Sequence, residues 1–204
     1  MNPLKSVRGT IIAGFVLAIV ILLLIGDSHM PAAMPLNSVI IWLHVFAGII
    51  WIGLLYYFNF VQVPALADAI SDDGGPGGAG ITKYVAPRAL WWFRWGALFT
   101  WLTGAAFLLN RGMLHDAFVL GMGGDSINAY AMTIGIGAWL GTIMLFNVWG
   151  LIWPNQKKVL GLVEATAEEV AKAKNIAFIA SRSNTVMSIP LIMSMVGAGH
   201  GFFM

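Results

Sequence analysis

The sequence contains no cysteine and few charged side chains. None of its 204 residues is cysteine, which excludes disulfides, thiolate metal sites, cysteine-ligated iron–sulfur clusters and a covalently attached c-type haem. Only 10% of the residues are charged, whereas soluble domains carry about 25%. Water is therefore not the main solvent of this chain.

Basic residues are too few and too scattered to indicate binding to a polyanion. The net charge is +2, and Lys and Arg do not cluster with aromatic residues as they do on nucleic-acid-binding faces. Nucleic acid is not expected as a partner, whereas membrane lipid is.

Hydrophobic residues make up 59% of the chain and form runs that can cross about 30 Å of hydrocarbon as helices. These runs predict an all-α integral membrane protein, a bundle of about five transmembrane helices in a single domain. The predicted spans are residues 10–25, 37–63, 90–109, 128–153 and 176–199. A Gly-rich linker is predicted over residues 64–87 and a surface helix over residues 166–175, starting at a Thr166–Glu169 capping box.

The distribution of Lys and Arg predicts the orientation of these spans. With the N-terminus in the cytoplasm, every basic residue outside the spans except Arg111 falls on the cytoplasmic side. Positively charged loops are retained on that side. The C-terminus is therefore expected outside.

Two histidines lie at similar depth toward the predicted outer side. His44 is about two turns inside the second span, and His200 ends the fifth. Imidazoles from two facing helices can ligate a haem axially, so His44 and His200 are predicted to bind haem b or another metal. The alternative is that each imidazole only bonds a backbone carbonyl or lies in the wet interface. Copper, a less favoured ligand, would add outer methionines: Met30, Met34, Met113 and Met204.

A second polar layer lies toward the predicted cytoplasmic side. It contains Arg94, Asn147, Arg182 and Asn184, which are predicted to bind a planar anionic substrate because guanidinium offers forked donors. The alternative is that the arginine head groups reach the cytoplasmic interface and that the asparagines only form hydrogen bonds between helices. No Asp or Glu falls within a predicted span, which disfavours a carboxylate-based transporter.

Three runs of residues resemble the membrane domain of the bacterial membrane-bound urate oxidase (urate hydroxylase) family, over roughly residues 38–200. The runs are Trp42–Gly53 (WLHVFAGIIWIG), Asn147–Lys158 (NVWGLIWPNQKK) and Ser181–Asn184 (SRSN) with the following segment to Pro190. The resemblance implies an oxidoreductase in the bacterial cytoplasmic membrane. Ser183 stands where the family pattern suggests histidine, and no catalytic residue is assigned.

That family carries a C-terminal cytochrome c domain, which this sequence has neither the segment nor the cysteine to form. The resemblance therefore implies a short form whose electrons pass to a separate cytochrome or to other membrane subunits. The leading hypothesis is a haem-binding membrane redox protein or redox-complex subunit. A non-enzymatic accessory subunit of a larger respiratory or photosynthetic complex is the second hypothesis, and a copper-handling membrane protein is the third.

Overall fold

The computed structural model of the protein describes residues 2–29 and 36–201, without the side chains of residues 25–29. Helices make up 84% of it, and no strand occurs within these ranges. The α-helices are α1 (Val7–His29), α2 (Leu36–Tyr56), α3 (Val63–Ser71), α4 (Ala86–Asn110), α5 (Leu114–Phe118), α6 (Ala129–Phe146), α7 (Trp153–Val159) and α8 (Ala167–His200).

Within the described residues, four helical stretches are long and apolar enough to cross a membrane. They are Val7–Leu24, Leu36–Ser71, Ala129–Val159 and Ala167–His200, with mean hydropathies between 1.3 and 2.6. The predicted all-α membrane bundle is thereby confirmed. Helix α4 has 25 residues but carries arginines and tryptophans, so its crossing of the membrane stays a prediction, as does the orientation of the termini.

The chain divides into two compact units, Met1–Val39 and Ile40–Met204. The first contains α1, which is preceded by a short 3₁₀ turn, Pro3–Lys5, with Asn2 as its N-cap. The second contains most of α2 and all later helices. Both cavities described below belong to this second unit.

In the described part of the second unit, three π-helical segments interrupt the helices, and each ends two residues before a proline. They span Tyr57–Gln62, Ile81–Val85 and Asn147–Ile152, before Pro64, Pro87 and Pro154. Proline has no N–H to donate and is tolerated within the first turn of a helix. The residue before each proline donates to the carbonyl five positions back, as Val63 does to Phe58. The wider turn lets each helix continue through its proline.

Helices α6 and α8 pack closely through small residues. The backbone N–H of Gly137 donates to Ser194 Oγ at 3.0 Å, and the Ser194 hydroxyl donates to the carbonyl of Thr133. Such contacts hold membrane helices together because lipid provides no hydrophobic drive for helix association. The apolar core beside them joins α2, α4 and α6, with Leu55, Phe93 and Met144 almost fully buried.

The structure differs from the prediction in the connection between the second and third predicted spans. The predicted linker is helical at both ends, because α3 covers residues 63–71 and a π turn covers residues 81–85. Leu66, Ala67 and Ile70 recur at helical spacing and line one cavity, which explains α3. The predicted surface helix is continuous with the fifth span in α8, whose start does have the expected Thr166–Glu169 capping box.

Replacing Gly135 by alanine should loosen the contact between α5 and α6. A Cβ there would lie 2.0 Å from the carbonyl oxygen of Ala117, so backbone must shift, at a cost of about 1–3 kcal/mol. The apparent unfolding midpoint in detergent should fall. Gly53→Ala is the matched control, since a Cβ at Gly53 meets no atom within 4 Å. An unchanged midpoint for Gly135→Ala would show that this contact is not tight.

Candidate functional site

The described part of residues 40–204 contains a histidine cavity and an amide cavity. The histidine cavity, of about 340 Å³, is lined by residues of α2, α4, α5, α6 and α8, including His44 and His200. The amide cavity has a volume of about 660 Å³. It lies beyond the C-terminal end of α2, where Asn59 and Gln62 of the π turn Tyr57–Gln62 line it. Both volumes fall in the range of about 300–1,000 Å³ that small-molecule sites occupy.

His44 is held on α2 by the backbone of α4. Its Nδ1 lies 2.8 Å from the carbonyl oxygen of Thr100. A carbonyl can only accept, so Nδ1 carries the hydrogen and donates it. In the neutral ring, Nε2 then holds the lone pair.

His200 shows the same arrangement on α8. Its Nδ1 lies 3.0 Å from the carbonyl oxygen of Val196, one turn earlier in the same helix. The proton is again on Nδ1 and the lone pair on Nε2. The two histidines that the sequence singled out therefore line one cavity in the same tautomer.

Small residues make room around these imidazoles. A Cβ at Gly104 would lie 2.9 Å from His44 Cε1, so only glycine lets the ring lie against α4 at this position. Gly137 and Gly141 of α6 also line the cavity, together with bulky apolar side chains: Ile41, Phe107, Leu108, Phe118, Leu191 and Val196. The cavity wall is thus mostly apolar, with two imidazoles exposed on it.

The structure brings together two of the four predicted substrate-binding residues. Asn147 Nδ2 donates to Asn184 Oδ1 at 2.8 Å, and Asn184 Nδ2 donates to the carbonyl of Met144 at 3.0 Å. Asn184 is fully buried. The pair joins α8 to the segment that follows α6, and neither residue lines a cavity described here.

The two arginines of the predicted inner layer lie against aromatic rings. The Arg94 guanidinium is 3.7 Å from the ring centroid of Trp153, and that of Arg182 is 5.2 Å from Phe178. Neither lines the histidine cavity or the amide cavity. The arginines and the asparagines lie at similar depth along the predicted spans, but they do not line one cavity. The role of the two arginines in binding a substrate stays a prediction.

A different set of polar residues lines the amide cavity, and the sequence did not identify most of them as site residues. The amide cavity is lined by Asn59, Gln62, Thr82, Gln156, Lys174, Asn175 and Ser181. The proline two residues after Gln62 was the available signal, because a proline within an apolar helical run predicts a locally altered turn, and π turns are frequent at functional sites.

Two buried polar side-chain atoms lack a hydrogen-bond partner in the part of the chain that the structure describes. They are Trp51 Nε1 and Gln62 Oε1. Trp51 lines the histidine cavity, and Gln62 lines the amide cavity. An unsatisfied buried polar atom costs about 1–3 kcal/mol, so these two atoms are departures from full pairing, and each belongs to a residue that lines a cavity.

The other metal-ligand candidates are less well placed. Met30, Met34 and Met204 lie outside the described residues, and Met113 precedes α5 without lining the histidine cavity. Met195 does line it. Within the described ranges no group of three or more His, Cys, Asp or Glu could hold a metal ion.

The fold and its cavities define an α-helical membrane protein with an imidazole-lined apolar site. The family model described as "Urate oxidase N-terminal" matches residues 118–204, so the resemblance to the membrane domain of urate oxidase is confirmed over that part. The match includes the Asn147–Lys158 and Ser181–Asn184 runs, and the Trp42–Gly53 run precedes it. No curated protein and no solved structure matches the chain.

If Asn147 and Asn184 only join helices, their substitution should affect stability and not ligand binding. Asn147→Leu should lower the free energy of unfolding by about 1–2 kcal/mol, since Asn184 Oδ1 loses its donor. The double variant Asn147→Leu/Asn184→Leu should lose less than the sum of the single variants. Additive losses in detergent unfolding experiments would contradict the pairing.

Proposed function

We propose that the chain is a membrane redox protein, or the membrane subunit of a redox complex, that binds a b-type haem through His44 and His200. The observation that carries this proposal is that both imidazoles line one apolar cavity with the hydrogen on Nδ1. The similarity of residues 118–204 to the urate oxidase family supports a redox class.

The tautomer matters because a metal-binding imidazole needs a free lone pair. Metal-ligating histidines almost always donate their other N–H to a carbonyl, a carboxylate or water, which fixes the ring and makes the ligand more basic. The carbonyls of Thr100 and Val196 accept these N–H groups here. Both Nε2 atoms are therefore suited to bind iron.

The chemistry of the rest of the cavity wall also supports this proposal. Apolar side chains and glycines suit a flat macrocycle and exclude water, which influences the redox potential. Bound haem would supply one-electron chemistry, and the chain's residues would hold and orient it. The electrons would pass to a separate cytochrome or another subunit.

Purified protein should show a Soret band and a pyridine haemochrome of b type. His44→Ala and His200→Ala should each lower haem content, because each would remove one of the two imidazoles that we propose hold the iron. His115→Ala is the matched control, since His115 is exposed and pairs with Asp116 at 3.5 Å instead of lining the cavity. Its spectrum should equal that of the unsubstituted protein.

Metal analysis on the same samples separates this proposal from its rivals. Iron in step with the Soret band supports haem. Copper that disappears in His44→Ala would support a copper-handling protein instead. A folded protein with neither metal, recovered in a stoichiometric complex with other membrane subunits, would overturn the haem proposal in favour of an accessory subunit.

A further inference from the structure

We infer that the amide cavity binds a quinol, which is a neutral planar ring with hydroxyl groups and an aliphatic tail. Among the described residues, none lines both this cavity and the histidine cavity. The quinol site therefore goes beyond the proposed redox function and does not depend on haem. A buried polar end without charge, aromatic walls and an apolar opening together point to this ligand.

The amide cavity is elongated along the helices that line it. Its lining residues run from Phe58 to Ile70 beyond α2 and from Ala171 to Ser181 on α8. These stretches are about 18 Å and about 15 Å long at 1.5 Å per residue. Asn59 Nδ2 donates to Ser181 Oγ at 2.9 Å, which marks the polar end of the cavity. Ile70 and Ala171 mark the opposite, exposed end.

The polar end holds a buried acceptor without a partner. Gln62 is 8% exposed, and its Oε1 has no hydrogen-bond partner within the described ranges. Ser181 Oγ accepts the bond from Asn59, so its own hydrogen can donate. A ligand hydroxyl can donate to Gln62 Oε1 and accept from Ser181, whereas the carbonyl of a quinone can only accept. The reduced form, the quinol, therefore suits this end best.

The polar end also lacks charge in the part of the cavity that the structure describes. Asn59, Gln62 and Ser181 are neutral, and no Asp or Glu occurs among the described lining residues. Lys174 does line the cavity, but its side chain is exposed and lies about two turns from Ser181 along α8. A charged head group at the buried end would leave water without an opposite charge beside it, which is costly. The polar end therefore favours a neutral head group.

Aromatic and branched side chains form the walls beside this polar end. Phe58 and Phe93 meet edge to face with ring centroids 5.5 Å apart, and both line the cavity. Leu90 and Ile152 extend the apolar wall and are buried. A flat ring can pack against such walls while its hydroxyl bonds Gln62.

Apolar side chains continue to the exposed end of the cavity. They are Leu66, Ile70, Val159 and Leu160. Ile70 is 80% exposed, so this end is open. An aliphatic tail that covered these side chains would remove apolar surface from water, which is favourable. A polar planar head at the buried end and an aliphatic tail at the open end are the two parts of a membrane quinol.

Four probes test these parts in equilibrium binding to the full chain in lipid nanodiscs, under reducing conditions and with empty nanodiscs as the blank. A benzoquinol with a decyl tail has every part. Its dimethyl ether lacks the hydroxyl hydrogens, the tail-free benzoquinol lacks the tail, and decanol lacks the ring. Each of these three should bind about tenfold more weakly than the decyl benzoquinol, because each loses one set of contacts.

Two variants test the head and the tail separately. Gln62→Leu should weaken binding of the decyl benzoquinol about tenfold and leave its dimethyl ether unchanged, since the ether has no hydrogen to donate. Ile70→Ser should weaken the decyl benzoquinol about fivefold and leave the tail-free benzoquinol unchanged. Asn155→Leu is the matched control, because Asn155 bonds the carbonyl of Leu151 and does not line the cavity.

Both variants should keep the unfolding midpoint of the unsubstituted chain. Gln62 Oε1 has no partner among the described residues to lose, and Ile70 is exposed. Equal affinity for the decyl benzoquinol and its dimethyl ether would overturn this inference. Unchanged affinity for the decyl benzoquinol in both variants would overturn it as well.

The Soret band separates this inference from the haem proposal. A chain that shows the band but does not bind the decyl benzoquinol would overturn the quinol site alone. A chain that binds the decyl benzoquinol without a Soret band would overturn the haem proposal alone.

Discussion

The absence of water in hydrocarbon is the constraint on which the whole structure depends. Backbone and side-chain polar groups in a bilayer must find partners inside the protein. The π turns before Pro64, Pro87 and Pro154, and the carbonyls that accept from His44 and His200, meet this demand. The bonds to these carbonyls also fix the tautomers of the two imidazoles, with the hydrogen on Nδ1. Among the described residues, Trp51 Nε1 and Gln62 Oε1 are buried atoms without a hydrogen-bond partner. Trp51 lines the histidine cavity and Gln62 lines the amide cavity.

One continuous helical stretch, Leu36–Ser71, contributes lining residues to both cavities. Trp51 lines the histidine cavity and Gln62 the amide cavity, about 16 Å apart along the helix at 1.5 Å per residue. Leu55, fully buried, lies between them. The two cavities thus share one helical stretch and the buried core between them.

The sequence predicted the helices, because long apolar runs determine membrane helices. It also singled out His44 and His200, which line one cavity, and their role as ligands stays a prediction. It did not predict the amide cavity. Depth along a span can be counted, but the direction in which a side chain points depends on helix packing, which placed Arg94 on Trp153 and Asn147 on Asn184. The π turn before Pro64 changes the helical register locally, so the position of Gln62 could not be derived from a regular period.

Electron paramagnetic resonance of the oxidised, purified protein tests the central claim most directly, because the spin state of ferric haem depends on the groups that bind the iron. Two imidazole ligands, His44 and His200, predict a low-spin ferric haem signal that converts to a high-spin signal in His200→Ala. A high-spin signal in the unsubstituted protein, or no haem iron signal in folded protein, would contradict the account.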